Sequence, residues 1–159
     1  ELEEVETIPL PRPEGRGEPR VAVVARALAG ELPLCVAVTH LSFPPRHAVR
    51  QLRWLQRHLA ARPAPRLLLG DLNLWLSAVR LVSLPGWRPL ARGGTFRNRA
   101  PGSRLPTVQL DHVLGQGAGL RVRRARVAAG PVSDHRAVVV DLEAGPGGRC
   151  QAGRSNQAW

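Results

Sequence analysis

The sequence predicts a single α/β domain, and three observations lead to that prediction. The chain has 159 residues, of which 43% are apolar, enough for one domain with a buried core. Several short runs rich in valine, leucine and alanine have the length and bounding residues of strands. One longer segment, residues 46–62, instead has apolar residues at helical spacing. Strands placed before and after a helix favour a mixed α/β architecture.

Residues 1–20 differ in composition from the rest of the chain. They hold six glutamates together with several prolines and glycines, a composition that cannot bury much apolar surface. We therefore predict that residues 1–20 form an acidic loop or linker. The remainder of the chain is strongly basic.

Two β-prone runs and a helix follow. Residues 21–28 and 34–41 are separated by five residues, which suits a hairpin, and His40 falls at the end of the second run. Residues 46–62 form the predicted helix. Its apolar stripe is Ala48, Leu52, Leu55 and Leu59, and the opposite stripe is Arg46, Arg50, Arg53 and Arg57.

The middle of the chain contains the first cluster of polar residues at a strand end. Residues 67–69 are a short buried strand that delivers Gly70-Asp71-Leu72-Asn73 at its carboxyl end. Residues 74–84 predict a short helix. Residues 88–106 are rich in loop-forming residues, and Trp87 and Phe96 are the aromatic side chains there that could contact a substrate.

Two more clusters lie on the last strands. Residues 107–114 predict a strand that carries Asp111 and His112 on opposite faces. Residues 120–128 alternate apolar residues with arginines, which indicates a half-exposed strand. Residues 136–142 form an apolar strand directly after Ser133-Asp134-His135, and residues 144–159 predict a disordered tail.

The basic residues are all arginine, 23 in number, and the sequence pI is about 11.7. Such a charge favours a polyanionic partner, although a general bias toward arginine in the composition weakens that inference. No run of apolar residues is long enough to span a bilayer, and the first residues do not form a basic leader. We expect a cytoplasmic protein without a transmembrane segment.

Carboxylates are scarce, and their positions are informative. From residue 21 onward there are six, and three of them, Asp71, Asp111 and Asp134, lie at the ends of apolar runs. Cleavage of a phosphoester needs a cation, a base for the attacking water and donors for the phosphoryl oxygens. Asp71 and Asp134 are the candidate ligands of a magnesium or manganese ion, and His40 and Asn73 are candidate donors to a phosphate.

Each cluster alone also fits a purely structural role. Gly-Asp-x-Asn is a common turn, because glycine and asparagine tolerate positive φ and aspartate caps a following helix. Asp134 and His135 could form a turn before a strand. Asp111, in a mostly apolar strand, needs a partner because an unpaired buried carboxylate is costly, and His135 acts near neutral pH if Asp111 reaches it.

The order of the clusters resembles the endonuclease/exonuclease/phosphatase superfamily, which includes deoxyribonuclease I. The resemblance covers about residues 21–143 and rests on Thr39-His40-Leu41, Gly70-Asp71-Leu72-Asn73, Gln109-Leu110-Asp111-His112 and Ser133-Asp134-His135, with the Leu52-Arg53-Trp54-Leu55 helix between the first two. It implies a two-sheet α/β sandwich of the αββα type that hydrolyses phosphoesters with Mg²⁺ or Mn²⁺. The substrate would be a nucleic acid, a phosphorylated small molecule or a phosphorylated lipid.

The resemblance also implies a role for each site residue. His40 would contact the phosphate or assist the leaving group, Asp71 would bind metal or orient the attacking water, and Asn73 would hold a phosphoryl oxygen. Asp111 would orient His135, His135 would act as the base or as the donor that stabilises the transition state, and Asp134 would be a second carboxylate near the metal. Domains of this superfamily begin with a strand-borne asparagine and a metal-binding glutamate, and neither pattern precedes residue 21. We therefore expect residues 21–143 to be the carboxyl-terminal half of such a domain.

A second interpretation belongs to a different functional class. The chain could be a catalytically inactive or regulatory domain that binds polyanions through arginines. The candidates are the four arginines of the predicted helix and those within residues 121–126.

Overall fold

A computed structural model describes residues 2–12, 18–30, 32–97, 107–128, 130 and 133–145. These residues form eight strands and two helices. In chain order they are β1 (Leu2–Pro9), β2 (Val21–Ala29), β3 (Leu32–His40), α1 (Pro45–Leu59), β4 (Arg66–Asp71), α2 (Leu76–Val82), β5 (Arg88–Pro89), β6 (Asp111–Gln116), β7 (Leu120–Ala128) and β8 (Ala137–Ala144). Neither helix in these ranges is long and apolar enough to cross a bilayer.

Six strands form one mixed sheet in the order β1-β2-β3-β4-β6-β5. Only β3 and β4 run parallel, and α1 makes the crossover between them. The other four pairings are antiparallel. Because parallel strands end at the same edge of a sheet, the segments that follow β3 and β4 leave the sheet side by side.

The prediction of a loop over residues 1–20 is wrong for β1. This strand pairs with β2 from Leu2 opposite Ala27 to Pro9 opposite Val21. Most of its side chains are exposed, as expected for a strand at a sheet edge, so it lacks the apolar run that marks a buried strand. Two of its three glutamates are paired: Glu3 accepts a 3.1 Å hydrogen bond from Arg26, and Glu6 pairs with Arg62.

The main core lies between the sheet and α1. The helix has the predicted amphipathic pattern but ends at Leu59, because residues 60–62 turn toward β4. Arg66 fixes this turn by donating from Nε to the carbonyl of Arg62 over 2.8 Å. The fully buried side chains of this core include Leu41, Leu52, Leu55, Leu59, Leu68, Leu72, Val79 and Leu114.

A second, two-stranded sheet consists of β7 and β8, and it packs on the other face of the large sheet. Leu120 of β7 and Leu142 of β8 contact a cluster of Leu32, Leu34 and Leu67. The two sheets with helices confirm the predicted α/β architecture. The bounds of β7 are those predicted, whereas β8 extends to Ala144, the first residue of the predicted tail. Residues 146–159 of that tail lie outside the described ranges.

Candidate active site

Three of the predicted site residues form a row across neighbouring strands. In the register of the sheet, His40 at the end of β3 lies opposite Asp71 at the end of β4, and Asp71 lies opposite Asp111 at the start of β6. Residues directly opposite one another project from the same face of a sheet. The parallel β3 and β4 and the antiparallel β6 therefore bring three polar side chains from distant parts of the chain to one edge.

The turn after β4 sets the position of Asp71 and Asn73. Oδ1 of Asp71 accepts a 2.9 Å hydrogen bond from the backbone N–H of Asn73, which adopts a positive φ of 49°. Asparagine tolerates this conformation better than most residues. The Asn73 side chain donates from Nδ2 to the carbonyl of Leu41 over 2.8 Å, which ties the turn after β4 to the end of β3.

His40 lies beside Asp71. Its Nε2 is 3.5 Å from Oδ2 of Asp71, and its side chain is 55% exposed, compared with 17% for Asp71. The histidine is thus open to solvent on one side and faces a carboxylate on the other. This placement suits a group that contacts an incoming phosphate.

His135 and Asp111 form the shortest contact at the site. Nδ1 of His135 is 2.7 Å from Oδ2 of Asp111, and the two side chains are 29% and 23% exposed. The contact fixes the ring, since Nδ1–H donates to the carboxylate and Nε2 remains available. The Phe96 ring packs against the imidazole at a centroid distance of 5.0 Å.

Thr95 is a site residue that sequence reasoning missed. It is fully buried, and its Oγ1 accepts hydrogen bonds of 3.0 Å from the backbone N–H groups of Leu110 and Asp111. Its carbonyl accepts a 2.7 Å hydrogen bond from the N–H of Arg136. Thr95 therefore fixes the strand that carries Asp111 relative to the loop that carries His135. A threonine in a loop gives no sequence signal for such a role.

The surroundings of His135 shift the pKa of its imidazole. Partial burial lowers the pKa of His135, but the hydrogen bond and the negative charge of Asp111 outweigh it, and the carboxylates of Asp71 and Asp134 act in the same direction. The net effect raises the pKa of His135 above its ordinary value of about 6.5. The ion pair with Asp111 therefore stabilises the folded chain below that ordinary value, and the contribution is lost as the pH rises through the raised pKa.

Removal of the Asp111 charge should lower the pKa of His135. In Asp111→Asn the main cause of the upward shift is gone, while the desolvation of the ring remains. Nitrogen-detected NMR titration of the imidazole in metal-free buffer measures the change. Asp141→Asn, at an exposed carboxylate on β8, is the matched control and should leave the pKa of His135 as in the wild type. An unaltered His135 pKa in Asp111→Asn would contradict this account of the pair.

His112, the neighbour of Asp111, points into the core on the side of α1. Its ring is buried, its Nε2 lies 2.8 Å from the carbonyl of Leu74, and its Nδ1 lies 3.5 Å from Nε2 of Gln109. Desolvation lowers the pKa of His112. A neutral ring that donates from Nε2 to Leu74 satisfies both contacts, and it ties the segment after Asn73 to the strand of Asp111.

Replacing His112 with leucine should destabilise the fold by about 1–3 kcal/mol, because the buried carbonyl of Leu74 loses its donor. Urea unfolding monitored by circular dichroism measures the difference. His47→Leu, at a half-buried histidine of α1, is the control and should stay within about 0.5 kcal/mol of the wild type. Equal midpoints for His112→Leu and wild type would refute the anchoring role of His112.

The site offers a group of possible metal ligands. One ligand atom each from Asp71, Asp111 and His135 lie within 4.8 Å of one another. Two carboxylates provide the hard oxygen donors that magnesium and manganese prefer, so the donor set fits a divalent cation. The Asp134 side chain is exposed and is not a member of this group. Its assignment as a metal ligand stays a prediction.

The structure changes the interpretation of the aromatic residues in the segment that was expected to contact substrate. Trp87 is 8% exposed and belongs to the main core, so it does not face a ligand. Phe96 contacts the ring of His135. Residues 98–106 of this segment lie outside the described ranges.

The sequence matches one family model, and no curated protein sequence matches the chain. That model describes the endonuclease/exonuclease/phosphatase family and covers residues 4–135. The matched range includes β1 from its third residue onward, as well as Asp71, Asp111 and His135.

Solved structures share the fold. An endonuclease/exonuclease/phosphatase protein from Beutenbergia cavernae superimposes with a TM-score of 0.71 at 24% identity, over 89% of this chain and 44% of that one. Zebrafish (D. rerio) TDP2 in complex with a single-strand DNA product superimposes with a TM-score of 0.69 at 18% identity, over 89% of this chain and 68% of that one. A mannosyl-6-phosphatase from Bacteroides thetaiotaomicron superimposes with a TM-score of 0.66 at 17% identity, over 89% of this chain and 66% of that one. The chain thus spans less than half of the first of these proteins and about two thirds of the other two.

Proposed function

The chain belongs to the endonuclease/exonuclease/phosphatase family, and from this premise we propose that it carries a site for metal-dependent hydrolysis of phosphoester bonds. The observation that carries the proposal is the row of His40, Asp71 and Asp111 beside His135. These side chains supply a base, an orienting carboxylate, a second carboxylate and a phosphate donor within one edge of the sheet.

In the proposed reaction, His135 handles the proton of the attacking water. Asp111 accepts the Nδ1–H of His135, so the free Nε2 can take a proton from water, and the carboxylate stabilises the imidazolium that forms. Asp71 lies next to both groups and orients the water through its carboxylate. The water oxygen then bonds to phosphorus, and the bond from phosphorus to the leaving oxygen breaks. The leaving oxygen takes a proton from His40, and His135 releases its proton to solvent.

His40 and Asn73 are the proposed phosphate contacts. The His40 side chain is 55% exposed and lies beside Asp71, so it can donate to a phosphoryl or leaving-group oxygen. Asn73 uses one amide hydrogen for the carbonyl of Leu41, which leaves its second amide hydrogen for a phosphoryl oxygen. Both contacts put donors where negative charge develops.

Magnesium or manganese is the proposed cofactor, with Asp71 and Asp111 as its ligands and Asp134 as a further carboxylate nearby. A bound divalent cation would neutralise charge on the phosphoryl oxygens. Because Asp111 already accepts a hydrogen bond through Oδ2, it would offer its other oxygen to the ion. The role of His135 as the base requires that its Nε2 stay free of metal.

The substrate belongs to the phosphoesters, and two structural neighbours give the range. One was solved with a single-strand DNA product, and another is a sugar-phosphate phosphatase. The test is hydrolysis of a single-stranded oligonucleotide, of bis(4-nitrophenyl) phosphate and of mannose 6-phosphate with magnesium, manganese or chelator. Metal-dependent turnover of any of them supports the proposal, and absence of turnover of all three would refute it.

Binding of polyanions without catalysis is the second candidate function, and exposed arginines favour it. All four arginines of the outer stripe of α1 are exposed, as are Arg121, Arg123, Arg124 and Arg126 on β7. Binding of duplex DNA in chelator should then weaken steeply as salt rises, because each neutralised phosphate releases a counterion. Affinity that is independent of salt would exclude this mode.

A further inference from the structure

Two aromatic side chains on the segments that follow β3 and β4 are exposed to solvent. Phe43 is 76% exposed and Trp75 is 64% exposed, whereas the other aromatic residues in the described ranges, Trp54, Trp87 and Phe96, are half-buried or buried. An exposed apolar side chain by itself needs no explanation, but two exposed aromatic rings on adjacent segments beside a proposed active site can stack on a planar ligand.

Both aromatic residues follow residues of the proposed site closely in the chain. Phe43 follows Leu41 by two residues, and Trp75 follows Asn73 by two residues. Leu41 and Asn73 are joined by the 2.8 Å hydrogen bond between the carbonyl of the first and Nδ2 of the second. Two residues of chain span at most about 7 Å, so the backbone of each aromatic residue lies within about that distance of a residue joined by this bond.

Buried polar side chains hold the backbone next to each ring. The N–H of Ser42, directly before Phe43, donates over 2.9 Å to Oε1 of Gln51, whose side chain is 1% exposed. The carbonyl of Leu74, directly before Trp75, lies 2.8 Å from Nε2 of the equally buried His112. The segments that display the rings are therefore fixed in place, as a preorganised binding surface would be.

We propose that Phe43 and Trp75 form a stacking site for the bases of a single-stranded nucleic acid next to the phosphate that is cleaved. This inference rests on the proposed function, because it names the substrate class of the same site. Each base has a planar face that stacks on an aromatic ring without regard to sequence. The exposed Arg46 follows Phe43 by three residues, and its charge suits the adjacent phosphates.

A lipid surface is the competing ligand, since exposed aromatic rings also enter membrane interfaces. Single-stranded nucleic acid is favoured because the segments that carry the two rings directly follow strands that end in polar residues, His40 and Asp71. A nucleotide whose base stacks on one of the rings can place its phosphate among these polar groups. A membrane surface would instead cover the polar groups.

The test compares binding of a short oligothymidylate with binding of an abasic oligonucleotide of the same length, in chelator, by fluorescence anisotropy. Phe43→Ala and Trp75→Ala should each weaken oligothymidylate binding by about 5- to 150-fold. Both should leave binding of the abasic strand unchanged. Trp75→Phe should restore most of the affinity, and Leu81→Ala, at an apolar residue of α2 that is 83% exposed, is the matched control without effect.

Several results would overturn the inference. These are no binding of oligothymidylate by the wild type, equal losses on the abasic strand, or no loss in either alanine variant. Binding to phosphatidylserine vesicles that depends on Trp75, with oligothymidylate binding unaffected, would assign the rings to a lipid surface instead. Since chelator prevents turnover, failure of this test leaves the hydrolytic proposal standing, and absence of hydrolysis leaves the stacking result standing.

Discussion

Replacing His135 with alanine should lower the rate constant for phosphoester hydrolysis by about 10²- to 10⁴-fold, the contribution expected of a positioned acid or base. The structure gives the reason, because His135 carries the one imidazole that a carboxylate holds over a short 2.7 Å contact in the described part of the chain. Removing the ring leaves the carboxylates of Asp71 and Asp111 in place but no group to accept the proton of the water.

The measurement is kcat and KM for bis(4-nitrophenyl) phosphate with magnesium. A loss in kcat at nearly constant KM identifies a group that acts in the transition state. His47→Ala, at a histidine of α1 outside the row, should keep the wild-type kcat, and a circular dichroism spectrum should confirm that both variants are folded. Wild-type kcat in His135→Ala would remove this residue from the mechanism.

Replacing Gly70 with alanine should lower the free energy of unfolding by at least about 3 kcal/mol, a large part of the stability of a small domain. Two effects add. Gly70 has a φ of +135°, which side chains other than glycine rarely adopt, and a Cβ there would lie 1.8 Å from the backbone carbonyl oxygen of Thr39. The clash is with backbone of the neighbouring strand β3, so it can be relieved only if β3 and β4 separate beside His40 and Asp71.

Urea unfolding of Gly70→Ala measures this effect, and Gly30→Ala is a matched control. Gly30 also has a positive φ, +63°, but a Cβ there would have no neighbour within 4 Å. Its replacement should cost only the conformational strain, about 1 kcal/mol. Similar losses in the two variants would show that the close approach to Thr39 contributes nothing. We also expect Gly70→Ala to lose hydrolytic activity, since its clash lies in the row of site residues.

Local sequence patterns were sufficient to predict many of the secondary-structure elements and the positions of the polar clusters. The amphipathic period of α1, the apolar run of β4 and the alternation in β7 each predicted the right element, with shifts of one to three residues at the ends of α1 and β4. Periodicity identifies an element when one of its faces is buried. The same rule explains the failure at β1, whose stability comes from pairing with β2 and from the salt bridges of Glu3 and Glu6.

The arrangement within the site depended on information that a single sequence does not carry. That Asp71 lies between His40 and Asp111 follows from the sheet register, which is set by the crossover and by strand pairing. The pairing of Asp111 with His135 could be anticipated from the cost of an unpaired carboxylate and from the family resemblance. The supporting bonds of Thr95, Gln51 and His112 could not, because their partners are backbone groups 15, 9 and 38 residues away in the chain, and backbone groups carry no residue-specific signal.

The rate of Asp71→Asn relative to wild type is the measurement that tests the central claim most directly, since Asp71 lies between the other members of the row. The change removes a negative charge with little change in shape, and Asp141→Asn on β8 repeats the same chemistry at an exposed position away from the row. We predict metal-dependent hydrolysis by wild type and by Asp141→Asn, and a rate at least about 10²-fold lower for Asp71→Asn. Equal rates for all three proteins would contradict the assignment of this edge of the sheet as the active site.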